Sequence, residues 1–109
     1  KANRYARTRL KKADRFRRTG NPDAFYDEVE KAIWGYLGDK LDIETSSLSR
    51  EVILKALEER GVDEDTRDKF LRIMDESEFS RFAPSSEKSD VNQLYMDAVS
   101  LIRNLENSL

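Results

Sequence analysis

Residues 25–41, FYDEVEKAIWGYLGDKL, hold the single Trp and half of the four Tyr of this 109-residue chain. At 100° per residue, Phe25, Tyr26, Val29, Ala32, Ile33, Trp34, Tyr36, Leu37 and Leu41 cover roughly 200° of a helical wheel, wider than the apolar stripe of a surface helix. A helix this apolar must touch more than one neighbour, which predicts the central helix of a small all-α domain. Gly35 and Gly38 fall on its polar side near Asp27, Glu28, Lys31 and Asp39, and each costs about 0.8–1 kcal/mol relative to Ala inside a helix. The simpler expectation is a frayed or kinked last turn. The sharper one is a shallow exposed notch at Gly35 and Gly38, where another backbone approaches.

Upstream, Thr19-Gly20-Asn21-Pro22 reads as a stop and a restart. Gly20 suits the position after a helix end, Asn21 can cap, and Pro22 belongs at a first helical position. Before it, Ala2, Tyr5, Ala6, Leu10, Ala13 and Phe16 recur at helical spacing on about 140° of a wheel, which predicts a helix over 2–18 packed antiparallel to one over 22–40. The opposite side of the first helix carries Arg4, Arg7, Lys11, Arg15 and Arg18 within roughly 80°, a stripe rather than a scatter.

Downstream, Ser49 is a good N-cap for a short helix over 50–60, with Val52, Ile53, Ala56 and Leu57 inward and Gly61 at its end. Asp63 caps a fourth helix over 64–82 whose buried side is Phe70, Leu71, Ile73 and Met74, continued by Phe79 and Phe82 until Pro84 stops it. Residues 84–89 read as the longest linker. Val91, Leu94, Tyr95, Ala98, Val99, Ile102, Leu105 and Leu109 then recur with a helical period over 90–108. Five helices in antiparallel hairpins form a compact all-α helical bundle, a single domain over 1–109, with an α-solenoid fragment as the nearest outline among repeat folds.

Composition narrows the chemistry. Charged residues make up 39% of the chain, with no Cys and no His, so thiol chemistry, a disulfide framework and the usual neutral-pH base and zinc ligand are all missing. There is no phosphate loop, GxSxG or HExxH. Catalytic, cofactor-binding and metal residues are therefore assigned to none. The acids of Val62-Asp63-Glu64-Asp65-Thr66 suit a helix start better than a calcium loop, since the Gly and closing Glu are absent. Trp34, Tyr26, Tyr36 and Tyr95 at helical spacing read as core rather than pocket. No run reaches the ~20 apolar residues of a membrane span.

The net charge of −2 hides a division: residues 1–18 hold nine Lys or Arg against Asp14 alone, giving +8, which leaves −10 on the rest. A basic arm on an acidic body suits anionic lipid headgroups, an acidic partner or nucleic acid. The overall pI of about 5.3 and the lack of a nucleic-acid-binding signature make the last the alternative. The chain begins with Lys, which fits a segment of something longer, where a basic cluster follows a membrane span on its cytoplasmic side.

The stretches ANRYARTRLKKADRF, FYDEVEKAIWGYLGDKLDI, SSLSREVILKALEERGVDED, EFSRFAP and LYMDAVSLIRNLE, in that order, resemble the C-terminal region of the BatD family of bacterial aerotolerance membrane proteins. The resemblance spans nearly the whole chain, although no single stretch is diagnostic. It implies a cytoplasmic helical domain at the inner membrane, without catalytic residues or cofactor. The partners it implies are other Bat proteins bearing von Willebrand A or TPR-type domains and a MoxR-type AAA+ ATPase, acting in tolerance to oxygen or stress.

Overall fold

The central helix starts where Asn21 and Pro22 place it. In the computed structural model, which describes residues 1–109, the Asn21 side chain accepts from the Ala24 amide at 3.4 Å, and Pro22 occupies a position whose N–H a helix cannot use. From there α2 (Pro22–Lys40) runs unbroken through Gly35 and Gly38, so the expected fraying of its last turn is absent. The chain's own neighbours explain it. A Cβ on Gly35 would lie 2.1 Å from Tyr5 Cε2, and one on Gly38 would lie 3.2 Å from Leu48 Cδ1. Packing over these two positions offsets the intrinsic cost of glycine in a helix.

α2 buries nine residues and packs against three other helices. The first is α1 (Ala2–Arg18), whose buried positions are Ala2, Ala6, Leu10 and Ala13. Three alanines on one face let the two helix backbones come close, and they bring the Tyr5 ring onto Gly35. The turn between them is closed by Gly20 at φ +73° and by an Asn21 amide bond to the Phe16 carbonyl at 2.9 Å, the six-to-one bond of a Schellman ending.

α3 (Arg50–Glu59) starts where Ser49 Oγ accepts from the Val52 amide at 3.1 Å. It buries only Ile53 and Leu57; Val52, expected to face inward, is exposed. A second Schellman ending follows, with Gly61 at φ +79° and the Val62 amide bonded to the Leu57 carbonyl at 3.0 Å. α4 (Glu64–Phe82) is capped by Asp63, whose Oδ1 accepts from the Thr66 amide at 3.1 Å. Its buried side is Phe70, Ile73, Met74, Ser77 and Ser80.

Phe79 and Phe82 do not continue that side: they are 59% and 79% exposed. Helical phase explains the correction, because steps of three and four from Phe70 lead to Ser77 and Ser80 and leave the two phenylalanines on another face. The serines are buried because residues 83–90 fold back over them. The Ser89 amide donates to Ser80 Oγ at 2.8 Å, Lys88 Nζ donates to the Ser80 carbonyl at 2.6 Å and to Asp23 Oδ1 at 3.0 Å, and the Tyr26 hydroxyl donates to the Ser89 carbonyl at 2.7 Å.

α5 (Val91–Ser108), capped by Asp90, lies antiparallel to α4, as the Lys69–Ser100 hydrogen bond at 2.8 Å and the Arg72–Asp97 pair at 3.9 Å show. A single cluster of 23 buried apolar residues draws on all five helices, so the chain is a bundle about one core rather than a stack of separate hairpins. Trp34 is only half-buried, edge-on to Phe70 at 6.1 Å between ring centres.

Candidate functional site

The inner face of α1 determines where its cations point. Because Ala2, Ala6, Leu10 and Ala13 face α2, Arg9 and Arg17 flank the buried side and find partners within the fold. Arg9 Nη1 meets Glu28 Oε2 at 3.3 Å and stands 5.5 Å from the Tyr5 ring centre. Its pKa rises further from contact with Tyr5 and then Glu28. Arg17 binds Asp14, donates to Asn92 Oδ1 at 2.7 Å and stands 5.2 Å above the Tyr95 ring.

The opposite face behaves differently. Arg4, Arg7, Lys11, Arg15 and Arg18 are all exposed. Arg18 Nε meets Asp14 Oδ2 at 3.2 Å. The other four take part in no ion pair, and the remaining pairs of this helix belong to Arg9 and Arg17. None of the 21 acids on residues 19–109 is paired with these four.

Arg7 and Lys11 also rim a groove between α1 and α5, about 510 Å³ in volume, together with Arg103. Leu10, Tyr95, Val99 and Ile102 form its apolar floor. The one carboxylate at its edge, Glu106, is already engaged. It accepts a short hydrogen bond from the Tyr36 hydroxyl and meets Lys40 Nζ at 3.3 Å. Tyr36, followed by Lys40, holds the Glu106 carboxyl below the ordinary range, while burial and Glu106 push the Tyr36 hydroxyl up.

Gly35 and Gly38 line a different groove, with Trp34, Ile43 and the carboxylates of Asp27, Asp39, Asp42 and Glu44. It contains none of the five stripe residues. The Tyr5 ring and the Leu48 side chain occupy most of the space that the glycines leave, with the Ile43 carbonyl at 3.3 Å the one backbone group over Gly38. The acids at 63–65 serve the start of α4: the hydrogen bond from Thr66 keeps the Asp63 carboxyl below its usual range, and Glu64 and Asp65 are exposed in the first turn. No three carboxylates converge as metal ligands would.

Two features escape sequence reading. Arg103 joins the basic rim only through the pairing of α1 with α5. Glu30, 8% exposed, is held by Arg81 Nη1 at 2.7 Å, across 51 residues of chain. Neither has a local signal. Compared with known protein families, curated proteins and solved structures, the chain matches none.

Proposed function

We propose that this chain is a non-catalytic interaction domain that lays the outer face of α1 on an anionic surface, the cytoplasmic leaflet of a bacterial membrane. The observation that supports it is the alignment of Arg4, Arg7, Lys11 and Arg15, exposed and without carboxylate partners. Each Lys or Arg near an anionic leaflet contributes about 1 kcal/mol, so the stripe is sufficient to orient a domain of this size. No helix of the chain is long and apolar enough to cross a membrane. In this reading the domain follows a spanning segment and hangs from it by α1.

The BatD resemblance supports the same placement. On that reading the domain belongs to a BatD-like membrane protein of the aerotolerance and oxidative-stress response. It meets Bat-type proteins with von Willebrand A or TPR-type domains, or a MoxR-type AAA+ ATPase, through surfaces other than the basic stripe.

The test is co-sedimentation with vesicles of neutral lipid, with and without an anionic lipid, for the wild type and for R4E/R7E/K11E/R15E. The wild type should bind only the anionic vesicles and release with rising salt, and the charge-reversed protein should stay in solution. Equal binding by the two proteins removes the membrane role. Tighter binding to single-stranded or duplex nucleic acid than to vesicles, with a steep salt dependence, reassigns the face to the alternative reading.

A further inference from the structure

We propose that the chain associates head to tail with a second copy of itself, the Phe79–Phe82 knob of one molecule entering the α1–α5 groove of the next. The knob is the most conspicuous apolar surface left uncovered: Phe79 and Phe82 stand 59% and 79% exposed, one turn apart on the same side of α4. Exposed apolar clusters with a polar rim mark contact sites. This rim is acidic. Asp75 and Glu78 share the single cation of Arg50, at 3.2 and 3.1 Å, and Glu87 has no ion-pair partner.

The groove is its complement in both respects. Its floor is apolar and its rim carries Arg7, Lys11 and Arg103, none of them in an ion pair, while Glu106 is turned to Tyr36 and Lys40. Aromatic anchors entering an apolar recess, with opposed charges around the edge, are the elements that carry binding energy and orientation at protein contacts. The charge surplus of each site is of the sign that the other lacks.

The two sites cannot meet within one molecule. The antiparallel register of Lys69 with Ser100 and Arg72 with Asp97 places Phe79 level with the start of α5, on the order of 20 Å along the axis from Arg103 at 1.5 Å per residue. In a head-to-tail contact the knob and the groove of one molecule face different neighbours, so the interface is heterologous and growth runs past two copies to a ring or a filament. Two phenylalanines and a charged rim make a small interface, weak and concentration-dependent. The inference stands on the knob and the groove and does not require the membrane reading, with which it shares only Arg7 and Lys11.

Sedimentation velocity of the whole chain without lipid, between roughly 10 μM and 1 mM, the range of weak affinities, tests it. The wild type should grow past dimer with concentration and shrink with salt. F79S/F82S and R7E/R103E, which alter exposed residues only, should each remain monomeric, a weakening of at least about thirtyfold, with unchanged circular dichroism. Their equimolar mixture should form a one-to-one dimer and nothing larger, because each supplies the site that the other has lost. A monomeric wild type, association that stops at a symmetric dimer, self-association of either variant, or a mixture that stays monomeric overturns the proposal. So does saturable binding of decyl phosphate in the groove of a monomeric wild type, which assigns the groove to an amphiphile. Loss of vesicle binding with association intact touches only the membrane reading.

Discussion

At the junction of α2 with α4, Arg81 reaches inward: its Nη1 lies 2.7 Å from Glu30 Oε2 and 3.2 Å from Asp27 Oδ1. On the outer face of α1, Arg4, Arg7, Lys11 and Arg15 reach away from the bundle and meet no carboxylate. The same residue types do opposite things in the two regions. At the junction a carboxylate has been drawn out of water, and the cation is part of what makes its burial tolerable. On the outer face of α1 these four cations hold no carboxylate of the fold, so whatever their charge does is done outward. The comparison separates cations that hold the structure from cations available to a partner.

The largest expected effect breaks the junction. Replacing Arg81 with Met strands Glu30, whose side chain is 10% exposed, and should cost about 2–3 kcal/mol by chemical denaturation at neutral pH, less than for a fully buried pair because Arg81 itself is partly solvated. The pH dependence identifies the group responsible. Burial raises the Glu30 pKa and Arg81 opposes that rise, so the folded value lies above the unfolded one. Protonation therefore favours the fold: the favourable contribution is complete below the ordinary carboxylate value and is lost as pH rises through the raised one. Without Arg81 the rise is larger, and the R81M deficit should shrink on going from pH 7 to pH 4.

Next in size is Y36F, which removes the hydroxyl that donates to Glu106 and should cost about 1 kcal/mol. Glu106 has the opposite sign to Glu30. Its folded pKa is depressed, chiefly by Tyr36 and then by Lys40, so its contribution is present above the unfolded value and lost as pH falls through the folded one. In Y36F the carboxyl should titrate closer to its ordinary value by NMR. The protein should also lose less of its stability across that acid window.

The glycine under Tyr5 calls for a double-mutant cycle. G35A should stabilise the Y5A variant by about 0.8–1 kcal/mol, the ordinary gain of Ala over Gly in a helix. In the wild-type background the new Cβ must push the ring aside from a 2.1 Å encounter, and most of that gain should vanish. Equal gains in both backgrounds would mean that the ring does not rest there. The smallest effect is expected where the comparison predicts no structural duty: R4E/R7E/K11E/R15E should unfold within about 0.5 kcal/mol of the wild type, since Glu is favoured near the start of a helix and disfavoured near its end. A larger loss would mean that the outer face of α1 also holds the fold.

Local signals account for what could be read from sequence. The caps Asn21, Ser49 and Asp63 and the stops at Gly20 and Gly61 place five helix boundaries within a residue or two, because capping is settled by a few neighbouring residues. The basic stripe was legible for the same reason, since one helix and its period suffice to align it. Where the outcome depended on a distant segment, sequence reasoning failed. Gly35 and Gly38 looked like a weak helix end because nothing near them names Tyr5 or Leu48 as the groups that cover them. Phe79 and Phe82 are a different, local case: the helical phase set by Phe70 turns outward by residue 79, which hydrophobicity alone does not register. Glu30 with Arg81, and Arg103 beside Arg7, are pairings that only the folded chain brings together.

The connection over residues 83–90, the longest between α-helices apart from 41–49, is fastened by four hydrogen bonds. Lys88 joins α2 to α4 through Asp23 and the Ser80 carbonyl, and Ser89 is held by both Tyr26 and Ser80. What would otherwise be slack between two hairpins is thereby a weld. The start of α5 is therefore anchored to α2 and to α4 together, and it cannot leave either helix without breaking those bonds.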